Sequence, residues 1–131
     1  MEYGKIKYYE FVFFRGEMLH MKFYKVDDQI LIAEGLSVGE ELVPNTTDAA
    51  GEKHVPVIAS EGDTVTVTVG SVEHPMLEAH FIQWIVLETE GGYQKKVLTP
   101  GVKPQAVFKT TDKVIAAYEY CNLHGLWKAE V

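Results

Sequence analysis

Apolar and polar residues alternate most cleanly in the stretch Thr64-Val65-Thr66-Val67-Thr68-Val69, where every side chain is β-branched. A period of two over such residues predicts a half-buried strand. Residues 80–89 (HFIQWIVLET) are apolar on both faces, which predicts a central strand covered from each side. Further strands are predicted at residues 93–99, 106–110 and 114–120, and another is opened by His54 in His54-Val55-Pro56-Val57-Ile58. Turn residues punctuate the series at Glu61-Gly62-Asp63, Gly91-Gly92, Pro100-Gly101 and Thr111-Asp112. No window carries a helical stripe longer than about two turns. Short strands at regular spacing predict an all-β chain whose main domain is an antiparallel β-sandwich, immunoglobulin-like in outline.

The first 35 residues follow a different pattern. Residues 5–14, 17–25 and 29–33 read as three short strands, with turns at Arg15-Gly16 and Asp27-Asp28. A β-meander of this size is too small to be stable alone, and it has no cysteine to staple it. It is expected to pack on the main domain or across a dimer interface. Residues 36–51 are rich in Gly, Pro, Asn, Thr and Asp without a period, and read as a connecting loop. The expected division is a small N-terminal β domain over residues 1–44 and a β-sandwich domain over residues 45–131.

Composition narrows the function. The chain has 131 residues, 47% of them hydrophobic, enough for a real core. No run approaches the roughly 18 unbroken apolar residues of a membrane span, and residues 1–10 lack the apolar core of a signal peptide. A cytoplasmic protein is the expectation. The formal net charge of −7 argues against a nucleic-acid partner, because phosphate binding needs clustered Lys and Arg. For an anionic substrate, local positive charge would have to overcome this global field. The single cysteine, Cys121, excludes an intramolecular disulfide and suits a reducing compartment; its thiol is reactive, ligating or packed.

The five histidines are His20, His54, His74, His80 and His124. His20 lies mid-strand without a polar companion and reads as simply solvated or hydrogen-bonded. The other four stand at segment edges, and Cys121-Asn122-Leu123-His124-Gly125 puts a thiol and an imidazole at a strand-to-loop junction. Loops at one end of a sandwich bring distant residues together. Three chemistries fit these side chains. A Cys–His nucleophilic pair leaves three histidines unexplained. A closed tetrahedral zinc site, a non-catalytic binding module, leaves one candidate over. Four imidazoles and one thiolate leave one octahedral position open, as a redox iron handling a small oxygen species requires.

Four ordered motifs then carry a family resemblance. They are Glu52-Lys53-His54-Val55-Pro56-Val57-Ile58, Val69-Gly70-Ser71-Val72-Glu73-His74-Pro75-Met76, His80-Phe81-Ile82-Gln83-Trp84, and Glu119-Tyr120-Cys121-Asn122-Leu123-His124-Gly125-Leu126-Trp127-Lys128-Ala129-Glu130. In order and spacing they closely resemble the superoxide reductases, the family of desulfoferrodoxins and neelaredoxins, from about Pro44 to the C-terminus. The resemblance implies one mononuclear non-haem iron with His54, His74, His80 and His124 equatorial and Cys121 axial. It implies binding through Nδ1 of His124 and Nε2 of the others. Glu52 and Lys53 match a mobile pair beside the open position. There the glutamate ligates the ferric resting state, while the lysine attracts superoxide and helps protonate its reduced form. The implied donor is rubredoxin or a similar small redox protein, and the implied assembly is a homodimer.

The N-terminal part departs from the desulfoferrodoxin pattern. A four-cysteine rubredoxin-like iron centre would place its motifs near residues 11–16 and 33–35, where this chain has no cysteine. The second iron, and with it an internal electron relay, is excluded on ligand chemistry.

Overall fold

The computed structural model describes residues 21–33 and 37–131. The strand predicted at residues 5–14, the start of the one at 17–25, the Arg15-Gly16 turn and His20 lie outside the described residues. The chain divides into two compact units, Met1–Leu42 and Val43–Val131.

In the first unit, β1 (Lys22–Val26) pairs antiparallel with both β2 (Gln29–Ala33) and β3 (Glu40–Leu42). Asp27 takes a left-handed φ of 53° in the β1–β2 turn, a conformation Asp tolerates better than most residues. Phe23 and Tyr24 are both buried. The strand β3 falls inside the stretch expected to be a loop. Its sequence, Glu-Glu-Leu, has no strand pattern of its own. Pairing with Phe23, Tyr24 and Lys25 of β1 makes it one, an instance of tertiary context overriding propensity.

The second unit is the sandwich. It runs through a single helical turn α1 (Gly51–His54), then β4 (Pro56–Glu61), β5 (Thr64–Val69), β6 (Ile82–Thr89), β7 (Gly92–Val97), β8 (Gln105–Lys109), β9 (Val114–Cys121) and β10 (Gly125–Glu130). One sheet has the order β10-β9-β6-β7 and the other β4-β5-β8, all antiparallel. The alternating stretch is β5 as expected, with Val65, Val67 and Val69 buried and the threonines between them half-buried. Those valines meet Ala106 and Phe108 of β8 and Ile82, Ile85, Leu87, Ala117 and Cys121 of the facing sheet. Each Val- to Phe-sized side chain so buried contributes roughly 1.5–3 kcal/mol. The strand β6 is covered on both faces, as its unbroken apolar run implied.

Three local differences from the sequence reading have physical causes. His54 ends α1 and does not open a strand. Val55 before Pro56 is held extended at ψ 125°, because the proline ring disfavours a helical residue ahead of it, so the strand starts only at Pro56. His80 stands two residues before β6, in an isolated bridge with Leu77 closed by N–H to O bonds of 2.9 and 3.0 Å. The strand β10 was not expected. Gly125, at φ 80°, reverses the chain after Asn122, Leu123 and His124, a three-residue hairpin loop closed by a left-handed glycine.

Pairing registers sort the loops into two ends. Pro56, Val69, Ile82, Gln105, Cys121 and Gly125 lie at one end, and Glu61, Thr64, Thr89, Lys109 and Val114 at the other. Just ahead of α1, Asn45 takes a φ of 63° and lies along the edge of β10. Its backbone N–H donates to Leu126 O at 3.0 Å, its side-chain amide donates to Lys128 O at 3.1 Å, and its side-chain oxygen accepts the Lys128 N–H at 2.8 Å.

Candidate metal centre

Four elements deliver the sequence-predicted side chains to the first of these ends. α1 supplies His54 from its last residue, and the loop after β5 supplies His74. The bridge before β6 supplies His80, and the β9–β10 hairpin supplies Cys121 and His124. The rings form a closed square. Going round it, His54–His74, His74–His80, His80–His124 and His124–His54 have centroids 4.7, 4.6, 5.0 and 4.9 Å apart, each pair near perpendicular at 75–90°. Across the square, His54 and His80 are 6.5 Å apart and inclined at only 30°. Ligating atoms of His54, His80, His124 and Cys121 all lie within 4.8 Å of one another. His74, diagonal to His124, completes the ring, with Nε2 3.2 Å from His54 Nε2 and 3.6 Å from Cys121 Sγ.

The hydrogen bonds decide what these nitrogens are for. His54 Nδ1 donates to Ala50 O at 2.8 Å, and His74 Nδ1 donates to Pro75 O at 2.6 Å. A neutral imidazole has one N–H, so both Nε2 atoms present lone pairs, and they face each other at 3.2 Å. His124 Nδ1 stands 3.1 Å from His54 Nε2. The buried Nε2 of His80 has no hydrogen-bond partner. Acceptors converging on acceptors repel unless protons or a cation lie among them. Burial opposes the protons: it lowers the pKa of His54 and His80 and takes His74 down to about 4, and the neighbouring histidines push the same way. Neutral imidazoles with carbonyl-bound far nitrogens are what a metal ligand set requires.

Cys121 is fully buried beside the square, its Sγ 3.6 Å from His74 Nε2 and 3.9 Å from His124 Nδ1. Burial pushes its thiol pKa up, while the backbone N–H groups of Leu123 and His124 bond to the sulfur and favour the thiolate. A bound cation overrides the burial effect, since a coordinating thiol is deprotonated. Trp127, three residues after His124, braces two sides of the square. Its indole stacks on His54 (4.9 Å, 26°), and its Nε1–H donates to His124 O at 3.0 Å. His54 and His74 are buried, whereas His80 and His124 are half-buried, so the square meets solvent along one edge.

Glu52 and Lys53 are exposed on α1, immediately before His54. The Lys53 charge acts on His80, lowering its pKa, and the Glu52 charge acts on His54, raising it. Sequence reasoning assigned no role to Trp127, to the carbonyls of Ala50 and Pro75, or to Glu119. Glu119 is a fully buried carboxyl with neither oxygen hydrogen-bonded, and burial holds its pKa well above the usual carboxylate range. A glutamate in the apolar run of residues 114–121, two residues before Cys121 and so on its face of the strand, was the available signal. Trp127 offered only its spacing.

This end of the sandwich gathers five candidate donors, four imidazoles and one sulfur, more than a closed tetrahedral zinc site uses. The desulfoferrodoxin family model matches residues 46–130. A desulfoferrodoxin of Clostridium acetobutylicum is 46% identical over 110 residues, covering 78% of this chain and 87% of its own length. A superoxide reductase of Pyrococcus horikoshii is 43% identical over 104 residues, 64% of this chain and 90% of that protein. The crystal structure of the superoxide reductase from Treponema pallidum superposes with a TM-score of 0.78 at 36% identity, covering 86% of this chain and all of that one. The chain belongs to the desulfoferrodoxin family.

Proposed function

We propose that this chain is a superoxide reductase, which reduces superoxide by one electron, with uptake of two protons, to hydrogen peroxide. The iron would be held by His54, His74, His80, His124 and Cys121. The observation that carries this reading is the square of four imidazoles, with the Nε2 lone pairs of His54 and His74 facing each other, beside one buried thiol. Similarity to proteins named superoxide reductase supports it. Iron bound there supplies the ferrous–ferric couple that a one-electron reduction needs.

The chain's own residues supply the rest. Cys121, held by two backbone N–H groups, donates electron density as a thiolate. Lys53 places a cation at the edge of the square in a protein of net charge −7. One ammonium at about 5 Å attracts an anion by roughly 1–3 kcal/mol at an effective dielectric near 20. Carboxylates more than about 8–10 Å away are screened, so Lys53 would govern the approach of superoxide and help protonate its reduced form. Glu52, exposed beside Lys53, would be the anionic group that caps the oxidised iron. Residues 45–131 form the metal-binding domain, and residues 1–44 a β domain without metal ligands. The electron donor is rubredoxin or a similar small redox protein, and the working form is a cytoplasmic homodimer. The lone thiol, suited to a reducing compartment, supports that location.

The test is stopped-flow mixing of the ferrous protein with superoxide, with peroxide measured. One peroxide per superoxide consumed is expected. Oxygen released alongside peroxide means dismutation instead, and a colourless protein carrying one zinc means a structural module.

A further inference from the structure

Residues 70–72, outside the donor set, grip the peptide that carries Lys53. The Val72 N–H donates to Glu52 O at 2.9 Å, and Ser71 Oγ donates to the same oxygen at 3.3 Å. Gly70 packs against that peptide so closely that an added Cβ would come within 2.5 Å of Glu52 O, 2.8 Å of the Lys53 carbonyl carbon and 3.0 Å of His54 N. All three atoms are backbone, so no flexible side chain can give way. α1 has only four residues, too few to hold its shape unaided. Its internal ties are Lys53 N–H to Ala50 O at 3.1 Å and Val55 N–H to Gly51 O at 2.9 Å. The turn that grips it also leads to His74, whose N–H bonds to Val69 O at 3.2 Å.

We infer that Gly70, Ser71 and the Val72 N–H are positioning groups for the Glu52–Lys53 peptide: they fix where the Lys53 ammonium stands at the edge of the imidazole square and tie that place to the loop that delivers His74. The inference deepens the reading proposed above and rests on the role given there to Lys53. Glycine at position 70 admits the peptide, and the two donors hold it by its one free carbonyl. This bounds how far Glu52 and Lys53 swing and keeps the lysine's charge on the substrate's path.

The test uses the iron-loaded full chain with two variants, Gly70→Ala and Ser71→Ala. Three quantities are read: the rate of trypsin cleavage at the Lys53–His54 bond, followed by mass spectrometry; the salt dependence of the second-order reaction with superoxide; and the visible spectrum. Cleavage is expected to quicken about tenfold in Gly70→Ala and about threefold in Ser71→Ala, the range that loss of one or two backbone-anchoring contacts gives. The salt dependence should flatten in both, with the parent's spectrum retained in Ser71→Ala. Parent-like cleavage and salt slopes in the folded variants would overturn the inference, as would loss of the visible band in Ser71→Ala, which would place the turn's action on the donor set. If Gly70→Ala does not fold, Ser71→Ala decides by the same readings. A parent without a ferric–thiolate band would sink the reading of the site instead, while the cleavage rates would still judge the grip of the turn on α1.

Discussion

At the end of the sandwich where β4 turns into β5, loop polar groups meet partners of complementary kind. Lys109 Nζ donates to Thr64 Oγ1 at 2.7 Å and stands 3.7 Å from Asp63. Thr89 donates to Asp112 at 3.1 Å and accepts the Gly91 N–H at 3.2 Å, while the Asp112 N–H donates to Thr110 at 2.9 Å. At the opposite end, the Nε2 atoms of His54 and His74, whose Nδ1–H groups are spent on carbonyls, are aimed at one another, and a carboxyl is buried without a partner. Both ends are loops on the same two sheets. The first is complete as it stands, with donors matched to acceptors, and builds structure. The second turns acceptors toward one another, an arrangement that a bound cation would satisfy. Buried polar groups lacking partners cost stability, so such an arrangement persists where function uses it.

The contrast can be broken or sharpened by substitution. The largest effect is expected from Cys121→Ser: the thiolate-to-iron charge-transfer band disappears entirely from the visible spectrum, and its persistence would refute the place given to the sulfur. Trp127→Leu removes both the stack on His54 and the bond to His124 O, and should weaken metal retention about 10–100-fold, as loss of a ligand-orienting partner does. Chelator competition with the zinc-loaded protein measures this, and Trp127→Phe, which keeps an aromatic face, should fall between. Lys53→Ala should slow the reaction with superoxide about tenfold at low salt and flatten its ionic-strength dependence; equal salt slopes in variant and parent would argue against electrostatic guidance.

Glu119→Leu should stabilise the metal-free protein by about 1–3 kcal/mol. The sign of its pH dependence follows from burial, which raises the folded pKa above the unfolded one. The folded state therefore favours the neutral acid, whose contribution is whole below the unfolded pKa and is lost as pH rises. The gain from Glu119→Leu should then grow as pH rises above the ordinary carboxylate range, as urea midpoints will show. The smallest effect belongs to the other end: Asp112→Ala should cost about 1 kcal/mol and leave the metal spectrum unchanged.

Strand order and placement along the chain were legible wherever side-chain pattern dictates them. The valines of β5 and the two-sided apolar run of β6 define the core, and their alternation is a property of residues 64–69 and 82–89 themselves. What escaped the sequence depended on backbone conformation or distant pairing. Gly125 gives no sign that the chain reverses and returns as β10. Glu40–Leu42 becomes a strand only because β1 lies beside it. His54 closes a helical turn that Pro56, two residues on, brings to an end. The site residues were legible as four ordered motifs, yet their arrangement was not. That the rings alternate near perpendicular around a square depends on Ala50 O, Pro75 O and Trp127, none of which has a composition signal.

The clamp by Asn45 has a consequence for how molecules of this protein meet. β10 is a border strand, and an unprotected border invites any extended segment to add itself as one more rung. Asn45 already occupies the places such a rung would take at Leu126 and Lys128. The residue that leads the chain toward His54 thereby also guards against runaway stacking of one copy upon the next.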